Sequence, residues 1–226
     1  MNIKKKILNL VFPKICVNCH KIGFWLCQTC KKTIIKIKYS FCPKCKKITN
    51  LGRFCPRCKR QSVIRGVIAY GYYKGALKEL VHFYKYRNVL EIKKFLANYI
   101  IDKTQDGLPR GDLILVPIPL HPRKQNERGF NQCYEIGREL EKNLDIKLVD
   151  CLKRVKYTKS QIGLSHFDRL KNLQGAFAFK SNIDITGKTV LLLDDVYTSG
   201  ATMATAAKVL RQNGAKDVWG ICVAMA

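Results

Sequence analysis

One stretch of sequence decides the fold class, Val190-Leu191-Leu192-Leu193-Asp194-Asp195-Val196-Tyr197-Thr198-Ser199-Gly200-Ala201-Thr202. Its apolar start predicts a buried parallel strand, and a hydroxyl-rich turn then leads into a helix over residues 202–212. The turn therefore lies at the carboxyl edge of a sheet, where open α/β folds bind ligands. The backbone N–H groups of residues 198–202 suit a phosphate, and Gly200 permits its close approach. The two carboxylates suit ribose hydroxyls or a bridging Mg²⁺, although Asp195 and Thr198 would also serve as plain helix caps.

The chain around this stretch alternates strands with helices. Strands are predicted over residues 63–73, 113–116 and 217–224, and helices over residues 76–84, 92–101 and 131–144. This alternation predicts an α/β fold in which helices flank a parallel sheet. The composition changes near Lys59, so we expect a small cysteine-rich module over residues 1–60 and an α/β domain over residues 61–226. We expect the two parts to pack together because no low-complexity linker separates them.

The residues from Leu193 to Thr202 resemble the signature of type I phosphoribosyltransferases, which has the end of an apolar strand, an acidic pair and Thr-Ser-Gly-Ala-Thr. The resemblance implies 5-phosphoribosyl-1-diphosphate as ligand, with its ribose hydroxyls on the acidic pair and its 5-phosphate in the turn. The ribose and phosphate site predicted in this way comprises Asp194, Asp195, Val196, Tyr197, Thr198, Ser199, Gly200, Ala201 and Thr202.

Two basic segments are predicted to complete the site on the diphosphate side. Type I phosphoribosyltransferases use a loop after a strand for the diphosphate, and the corresponding residues here are Pro119, Leu120, His121, Arg123 and Lys124. Arg128, at the start of the next helix, is suited to bidentate phosphate binding. Residues 154–177 are polar, basic and punctuated by glycine, which is typical of a lid that closes over a ligand. The alternatives are a solvated basic surface for the first segment and a surface helix over residues 165–173 for the second.

The catalytic roles expected from this arrangement are positioning and electrostatic stabilisation. Mg²⁺ would neutralise the leaving diphosphate, and basic side chains would stabilise its charge. The predicted catalytic residues are Asp194, Asp195, Arg128 and Arg169.

Four C-x-x-C pairs occupy the N-terminal part of the chain. Each pair presents two thiolates to one tetrahedral ion, so the eight cysteines predict one or two structural Zn²⁺ ions. Sequential pairing of neighbouring C-x-x-C units is the simplest arrangement, and cross-brace pairing is the alternative. Disulfides and redox pairs are disfavoured because no export signal or thioredoxin-like context is seen. The predicted metal ligands are Cys16, Cys19, Cys27, Cys30, Cys42, Cys45, Cys55 and Cys58.

Further motifs make the resemblance specific. Arg128-Gly129-Phe130-Asn131-Gln132, the run Thr158…Gln161…Leu164-Ser165, and Arg169…Asn172…Gly175-Ala176-Phe177 resemble the ComF family, as does a cysteine module before a phosphoribosyltransferase domain. The resemblance covers essentially the whole chain. It implies a cytoplasmic role in natural transformation, with incoming single-stranded DNA and DNA-uptake proteins, such as a helicase or a DNA-processing protein, as partners.

Charge and hydropathy agree with an anionic partner and with no membrane span. Lys and Arg total 42 against 16 Asp and Glu, which gives a formal charge of +26 and favours nucleic acids or polyphosphates. No apolar run reaches the length of a transmembrane helix, and residues 1–13 predict a short amphipathic helix instead of a signal peptide. A solvated lysine-rich surface is the alternative explanation of the charge.

Three functional hypotheses follow from the sequence. The first is a phosphoribosyltransferase. The second is a non-catalytic, zinc-containing adaptor that binds single-stranded DNA, in which the phosphate site serves regulation or the recognition of a nucleic-acid 5-phosphate. The third is a purely structural adaptor in a DNA-uptake machine. Aromatic residues among the basic residues of the cysteine module would stack on bases in the second case. We expect Trp25 and Phe41 to pack in a core instead, because large aromatic side chains are usually buried.

Overall fold

The computed structural model describes residues 13–87, 89–157 and 172–226, and its centre is a parallel β-sheet. Hydrogen bonds join four strands in the order β1-β6-β5-β2, all parallel. The strands are buried on both faces, as their continuous apolar sequences predict. Their bounds are Val67–Tyr72 for β1, Leu113–Pro117 for β2, Thr189–Tyr197 for β5 and Asp217–Met225 for β6.

The long helices cover the sheet, and each buries an apolar side. In the first long helix, Leu77, Leu80 and Tyr84 are fully buried, in agreement with the spacing predicted from the sequence. The parallel sheet with flanking helices confirms the predicted fold class. The helices of the described chain are α1 (Gln28–Lys32), α2 (Pro56–Lys59), α3 (Gly75–Tyr86), α4 (Ile92–Thr104), α5 (Pro122–Arg128), α6 (Gln132–Leu144) and α7 (Ala201–Gln212), with a 3-10 turn at Asn50–Gly52.

Strand β5 is longer than its apolar run and includes the acidic pair. The ladder to β6 continues past the last leucine, since Asp194 pairs with Cys222 and Tyr197 with Met225. Backbone pairing with a fully buried neighbour therefore extends the strand through residues whose side chains are polar. As a result, the turn begins at Thr198, after the carboxylates and not among them.

A two-stranded antiparallel ribbon, β3 (Leu152–Arg154) with β4 (Phe177–Phe179), brackets the basic segment that was predicted to be a lid. Most of that segment, residues 158–171, lies outside the described residues, together with Arg169, the Thr158 to Ser165 motif and most of the helix proposed over 165–173. The amphipathic helix predicted within residues 1–13 also lies outside them except for Pro13.

The cysteine-rich part of the chain packs along the free edge of β1. The Ile37 N–H donates to the Tyr70 carbonyl at 2.8 Å, and the Tyr72 N–H donates to the Ile35 carbonyl at 2.9 Å. Trp25 and Phe41 pack against the large core, as predicted from their size. The boundary predicted at residues 60 and 61 stays a prediction. Within the described ranges, none of the helices combines the length and the hydropathy that crossing a bilayer requires.

Candidate functional site

The acidic pair at the end of β5 meets side chains from two helices. The Lys85 ammonium, in the last turn of α3, lies 2.7 Å from Oδ1 of Asp195, and the two side chains are 19% and 11% exposed. The Cys133 thiol, in the first turn of α6, donates to Oδ1 of Asp194 at 3.8 Å. One ligand atom from each of Cys133, Asp194 and Asp195 lies within 4.8 Å of the others. The site therefore contains two carboxylates, one ammonium group and one thiol in a small volume.

Burial and mutual repulsion set the protonation of this cluster. Burial raises the pKa of Asp194, and the neighbouring Asp195 carboxylate raises it further, to about 7. Burial disfavours the Lys85 ammonium, but the Asp195 carboxylate outweighs burial and raises the pKa of Lys85. Burial and Asp194 together raise the pKa of the Cys133 thiol well above its usual range, so the thiol stays protonated. The arrangement stores unfavourable charge that an incoming hydroxyl donor would relieve.

The turn after β5 has the geometry of a phosphate cradle. Gly200 adopts a left-handed conformation at φ 76°, and a Cβ there would lie 2.4 Å from the Tyr197 hydroxyl. Only glycine therefore fits between Tyr197 and the start of α7. Within the described chain, the N–H groups of Thr198, Ser199 and Gly200 donate to no backbone carbonyl. These donors and the partial positive charge of the helix end are available to an anion.

A basic cluster lies beside the acidic pair: Lys124 and Arg128 belong to α5, which follows the loop after β2, and Arg154 belongs to β3. The Ile118 N–H donates to the Leu193 carbonyl at 2.9 Å, which holds this loop beside β5. Burial lowers the pKa of Lys124, and the charges of Arg154 and Arg128 lower it further. Burial also lowers the pKa of Arg154, while Asp194 acts in the opposite direction. Two cations close enough to lower the pKa of a third form, together with it, a site that an anion would stabilise.

The start of α6 fixes the position of Cys133 and of the loop after β2. The Asn131 side chain accepts a hydrogen bond from the Cys133 N–H at 2.9 Å and donates to the Ile118 carbonyl at 3.1 Å. The ring of Phe130 packs against Tyr84, with centroids 5.4 Å apart, and the Arg128 guanidinium lies over the Tyr86 ring at 5.2 Å. The Arg-Gly-Phe-Asn-Gln motif thus joins α6, α3 and the loop after β2.

The loop predicted to bind diphosphate packs around one aromatic ring. His121 is the N-cap of α5, and its ring meets Tyr157 edge-on at 5.3 Å. Arg123 and Lys124 lie over the same ring at 5.0 Å and 5.7 Å. Pro119 and Leu120 connect the end of β2 to this cap. Tyr157 directly precedes residues 158–171, so the loop lies at the base of the segment that was predicted to be a lid.

Two sets of four cysteines form two separate metal sites. In the first set, Cys16, Cys19, Cys27 and Cys30, the four sulfurs lie within 4.8 Å of one another, and Cys42, Cys45, Cys55 and Cys58 do the same in the second. One sulfur–sulfur distance in each set is 3.6 Å. A tetrahedral Zn²⁺ with bonds of about 2.3 Å separates its sulfurs by about 3.8 Å. Both sets therefore fit a structural zinc ion, and the pairing is sequential and not cross-braced.

The two cysteine sites repeat one backbone design. In the first turn of each, the residue after the second cysteine, His20 or Lys46, has φ near 60° and donates its N–H to the carbonyl of the first cysteine at 2.9 Å. His20 is exposed and is not part of either ligand set. Burial raises the pKa of Cys16 and of Cys42, but backbone N–H groups that donate to each sulfur outweigh burial and lower it to about 6. These two thiols are therefore ready to bind metal at neutral pH.

Comparisons with known proteins agree with both halves of this description. The profile of a double zinc ribbon domain matches residues 7–59, and that of a phosphoribosyl transferase domain matches residues 131–226. Competence protein F of Haemophilus influenzae is 32% identical over 91% of this chain and 95% of that protein. The chain belongs to the ComF family. DNA utilization protein YhgH of Escherichia coli K12 is 30% identical over 94% of this chain and 98% of that protein. Competence protein ComFC of Streptococcus pneumoniae is 30% identical over 85% of this chain and 84% of that protein.

In this ComF-family chain, the structure brings most of the predicted site residues to one edge of the sheet. The acidic pair, the turn at residues 198–202 and the loop at residues 117–124 lie there, whereas Arg169 lies outside the described residues. Sequence reasoning missed Lys85 and Cys133 as members of the site, whereas Arg154 begins the segment that was predicted to be a lid. Lys85 is a basic residue at the end of an amphipathic helix, which is common on surfaces, so no local signal marks it.

Proposed function

We propose that this ComF-family protein binds 5-phosphoribosyl-1-diphosphate together with Mg²⁺ and acts in the cytoplasm on incoming single-stranded DNA during natural transformation. The single observation that supports the ligand is the order of groups along the carboxyl edge of the sheet. This edge carries, in order, an anion cradle at residues 198–202, the carboxylates of Asp194 and Asp195, and the cations of Arg128, Lys124 and Arg154. The 5-phosphate, the ribose and the diphosphate of this ligand follow one another in the same order.

The ribose part of the proposal rests on the charge of the acidic pair. Asp194 and Asp195 repel each other, and Lys85 neutralises only one carboxylate directly. Ribose hydroxyls donate hydrogen bonds to carboxylates without adding charge, so they suit this pair. In this proposal, Lys85 positions Asp195 through their ion pair.

Mg²⁺ fits this site as an ion that arrives with the diphosphate. It prefers oxygen ligands and usually keeps several waters, and it binds through one or two carboxylates plus substrate phosphates. The cluster of Cys133, Asp194 and Asp195 offers a protonated thiol and a carboxylate already paired with Lys85, which is a poor set for a resident Mg²⁺. One free oxygen of Asp194 or Asp195 remains suitable as a partner of an ion that the diphosphate carries.

Group transfer at this site would break the bond between C1 of the ribose and the diphosphate oxygen and form a bond from C1 to an acceptor nucleophile. The diphosphate leaves with the electron pair of the broken bond, and the acceptor releases a proton. In this proposal, Arg128 and Arg154 stabilise the leaving charge, and Arg169 stays a predicted third cation. Asp194 and Asp195 hold the ribose while this happens.

Calorimetric titration of the full zinc-loaded protein with 5-phosphoribosyl-1-diphosphate and MgCl₂ tests the proposal. We expect binding by the natural protein and its loss in Asp194→Ala/Asp195→Ala, with Asp195→Asn as a milder variant that keeps the side-chain volume. Asp184→Ala is the matched control, because Asp184 is an exposed aspartate that precedes β5 and does not belong to the acidic pair. Absence of binding by the natural protein refutes the proposal.

The second candidate is a non-catalytic adaptor that binds single-stranded DNA, and the charge of +26 favours it. The two candidates differ in what the acidic pair does. Product analysis with the sugar diphosphate and trial acceptors distinguishes them, since only a transferase releases diphosphate. Salt-dependent DNA binding that is unchanged in Asp194→Ala/Asp195→Ala, with no turnover in the natural protein, favours the adaptor.

A further inference from the structure

A cleft of about 460 Å³ opens directly beside the phosphate turn, between the second cysteine site and α7. One wall is apolar and consists of Phe54, Val63 and Ile64. Thr198, Ser199 and Gly200 of the turn also line the cleft, as does Lys208 further along α7. This volume lies within the range of small-molecule pockets, roughly 300–1,000 Å³. A flat aromatic group fits against the apolar wall while an anion attached to it reaches the turn.

The cleft continues into a second, larger groove of about 780 Å³ over the second cysteine site. The two share three wall residues, Lys44, Cys58 and Gln61, so they form one path. Lys44 bonds to the Gln61 side chain across the junction. Further out, Lys47 and Arg57 line the groove. The path therefore runs from the turn, past an aromatic ring, onto a basic surface.

The charged side chains of the described residues that line this path are all positive. No Asp or Glu of the described chain lines either the cleft or the groove, whereas Lys44, Lys47, Arg57 and Lys208 do. A Zn²⁺ ion held by four thiolates carries two negative charges, and the four cations outnumber them. Bases of single strands stack on aromatic rings in positive grooves, which is the combination found here.

We propose that this path binds the 5′-phosphorylated end of a single-stranded nucleic acid. The first base lies in the cleft against Phe54, and the following phosphates lie on the cations that line the path, Lys44, Lys47, Arg57 and Lys208. The terminal phosphate reaches the turn at residues 198–200. A double helix does not fit, because the base must leave its stack to enter the cleft. The inference adds a strand-binding site with a defined polarity next to the acidic pair.

This placement has a consequence that rests on the proposed function. If the turn holds the 5-phosphate of 5-phosphoribosyl-1-diphosphate, the sugar diphosphate and the strand end compete for the same N–H donors. Competition concerns the terminal phosphate alone, since the rest of the strand lies on the cysteine side of the turn and the ribose lies on the side of Asp194 and Asp195.

Fluorescence anisotropy with a 3′-labelled oligothymidylate, carried out on the full zinc-loaded protein, tests the inference. We expect the 5′-phosphorylated strand to bind several-fold more tightly than the 5′-hydroxyl strand and far more tightly than a duplex of the same length. Lys44→Ala/Lys208→Ala should weaken binding at least ten-fold and make the slope of log K against log salt less negative by about 1.4, since each phosphate contact on a single strand contributes about 0.7. Lys78→Ala/Lys216→Ala is the control variant, which removes the same number of positive charges from exposed lysines that line neither the cleft nor the groove. It should leave the affinity and the salt slope unchanged.

Phe54 needs a substitution that keeps the zinc site intact, because its ring also packs against Cys42, Cys55 and Cys58. Phe54→Leu retains apolar volume and removes the stacking face, so we expect weaker strand binding with unchanged zinc content and melting temperature. Equal affinity for 5′-phosphorylated and 5′-hydroxyl strands overturns the inference, as does an unchanged salt slope in Lys44→Ala/Lys208→Ala. Poly-glutamate serves as a competitor that is anionic but has no bases. If it displaces the labelled strand at the same concentration as unlabelled strand does, binding is merely electrostatic and the inference is overturned.

The same proteins separate this inference from the proposed function. Lys44→Ala/Lys208→Ala should keep its affinity for 5-phosphoribosyl-1-diphosphate, and Asp194→Ala/Asp195→Ala should keep its affinity for the strand. If the natural protein binds the phosphorylated strand as described but not the sugar diphosphate, the proposed function fails and the strand site stands. If it binds only the sugar diphosphate, the strand site fails and the proposed function stands.

Discussion

Replacement of Asp194 by asparagine should make the protein more stable at pH 8.5. The folded protein holds Asp194 beside Asp195 with a pKa raised from 3.8 to about 7. Because the folded pKa is above the unfolded one, the stabilising contribution of the protonated carboxyl is fully present below about pH 4. It is lost as the pH rises through 7. Asparagine has no charge to lose, so the variant escapes this loss at alkaline pH.

The size of the effect follows from the pKa shift. Each unit corresponds to about 1.4 kcal/mol, so the shift of about three units corresponds to about 4 kcal/mol as an upper value. Asp194 is partly exposed, and solvent screening reduces this figure to about 2 kcal/mol. For a chain of this length, 1 kcal/mol changes the melting temperature by roughly 2–4 °C. We therefore expect Asp194→Asn to melt about 4–8 °C higher than the natural protein at pH 8.5.

Thermal unfolding followed by circular dichroism, with saturating zinc, provides the measurement. The difference between the two proteins should shrink between pH 8.5 and pH 5.5, because the natural carboxyl becomes protonated over that interval. Asp184→Asn is a control in which the pKa shift has the opposite sign, because hydrogen bonds from Thr186 lower the pKa of Asp184. The ionised Asp184 carboxylate therefore stabilises the folded protein, and this stabilisation is lost only as the pH falls below the pKa of the unfolded group. An unchanged or lower melting temperature for Asp194→Asn at pH 8.5, or a difference independent of pH, refutes the reasoning.

Three further changes have defined outcomes. Lys85→Met should destabilise the protein by about 3 kcal/mol in urea unfolding, because it leaves a buried carboxylate unpaired. The double variant Lys85→Met/Asp195→Asn should recover much of this loss. Additive losses from the two substitutions would contradict the pairing of Lys85 with Asp195. Cys42→Ser should lower the zinc content from two ions per chain to one by metal analysis, since the two sets of four cysteines are separate, and loss of both ions would show that they are not independent. Gly200→Ala should cost about 1–2 kcal/mol from its left-handed backbone alone, plus the clash with a tyrosine hydroxyl. Gly75→Ala has a positive φ but an open neighbourhood, so it should unfold at higher denaturant concentration than Gly200→Ala.

The parts of the fold that depend on local sequence could be predicted. Helices α3, α4 and α6 follow from apolar spacing, and their ends differ from the prediction by a few residues at most. The cysteine sites form between neighbouring C-x-x-C units, because a short loop brings two such units together most easily. Strand β5 extends to Tyr197 because its partner β6 continues, and a reading of the polar pair alone could not show this.

The parts of the site that depend on distant contacts could not be predicted. Lys85 meets Asp195 only because α3 and β5 end at the same edge of the sheet. Arg154 lies in β3, a strand of three residues that is too short for a periodic pattern. The path over the second cysteine site forms between Lys44 and Lys208, which are far apart in sequence, and it depends on how the cysteine-rich part packs on the sheet.

The position of β6 at the centre of the sheet determines the order in which the protein can assemble during synthesis. β1 and β5 both pair with β6, and the ribosome makes β6 after them. Until β6 emerges, both strands present unpaired N–H and C=O groups to other chains, which is a hazard for aggregation. The other edge of β1 is paired with residues 35–37, which emerge before it. The zinc-binding segment thus shields, from early in translation, the strand that waits longest for its partner.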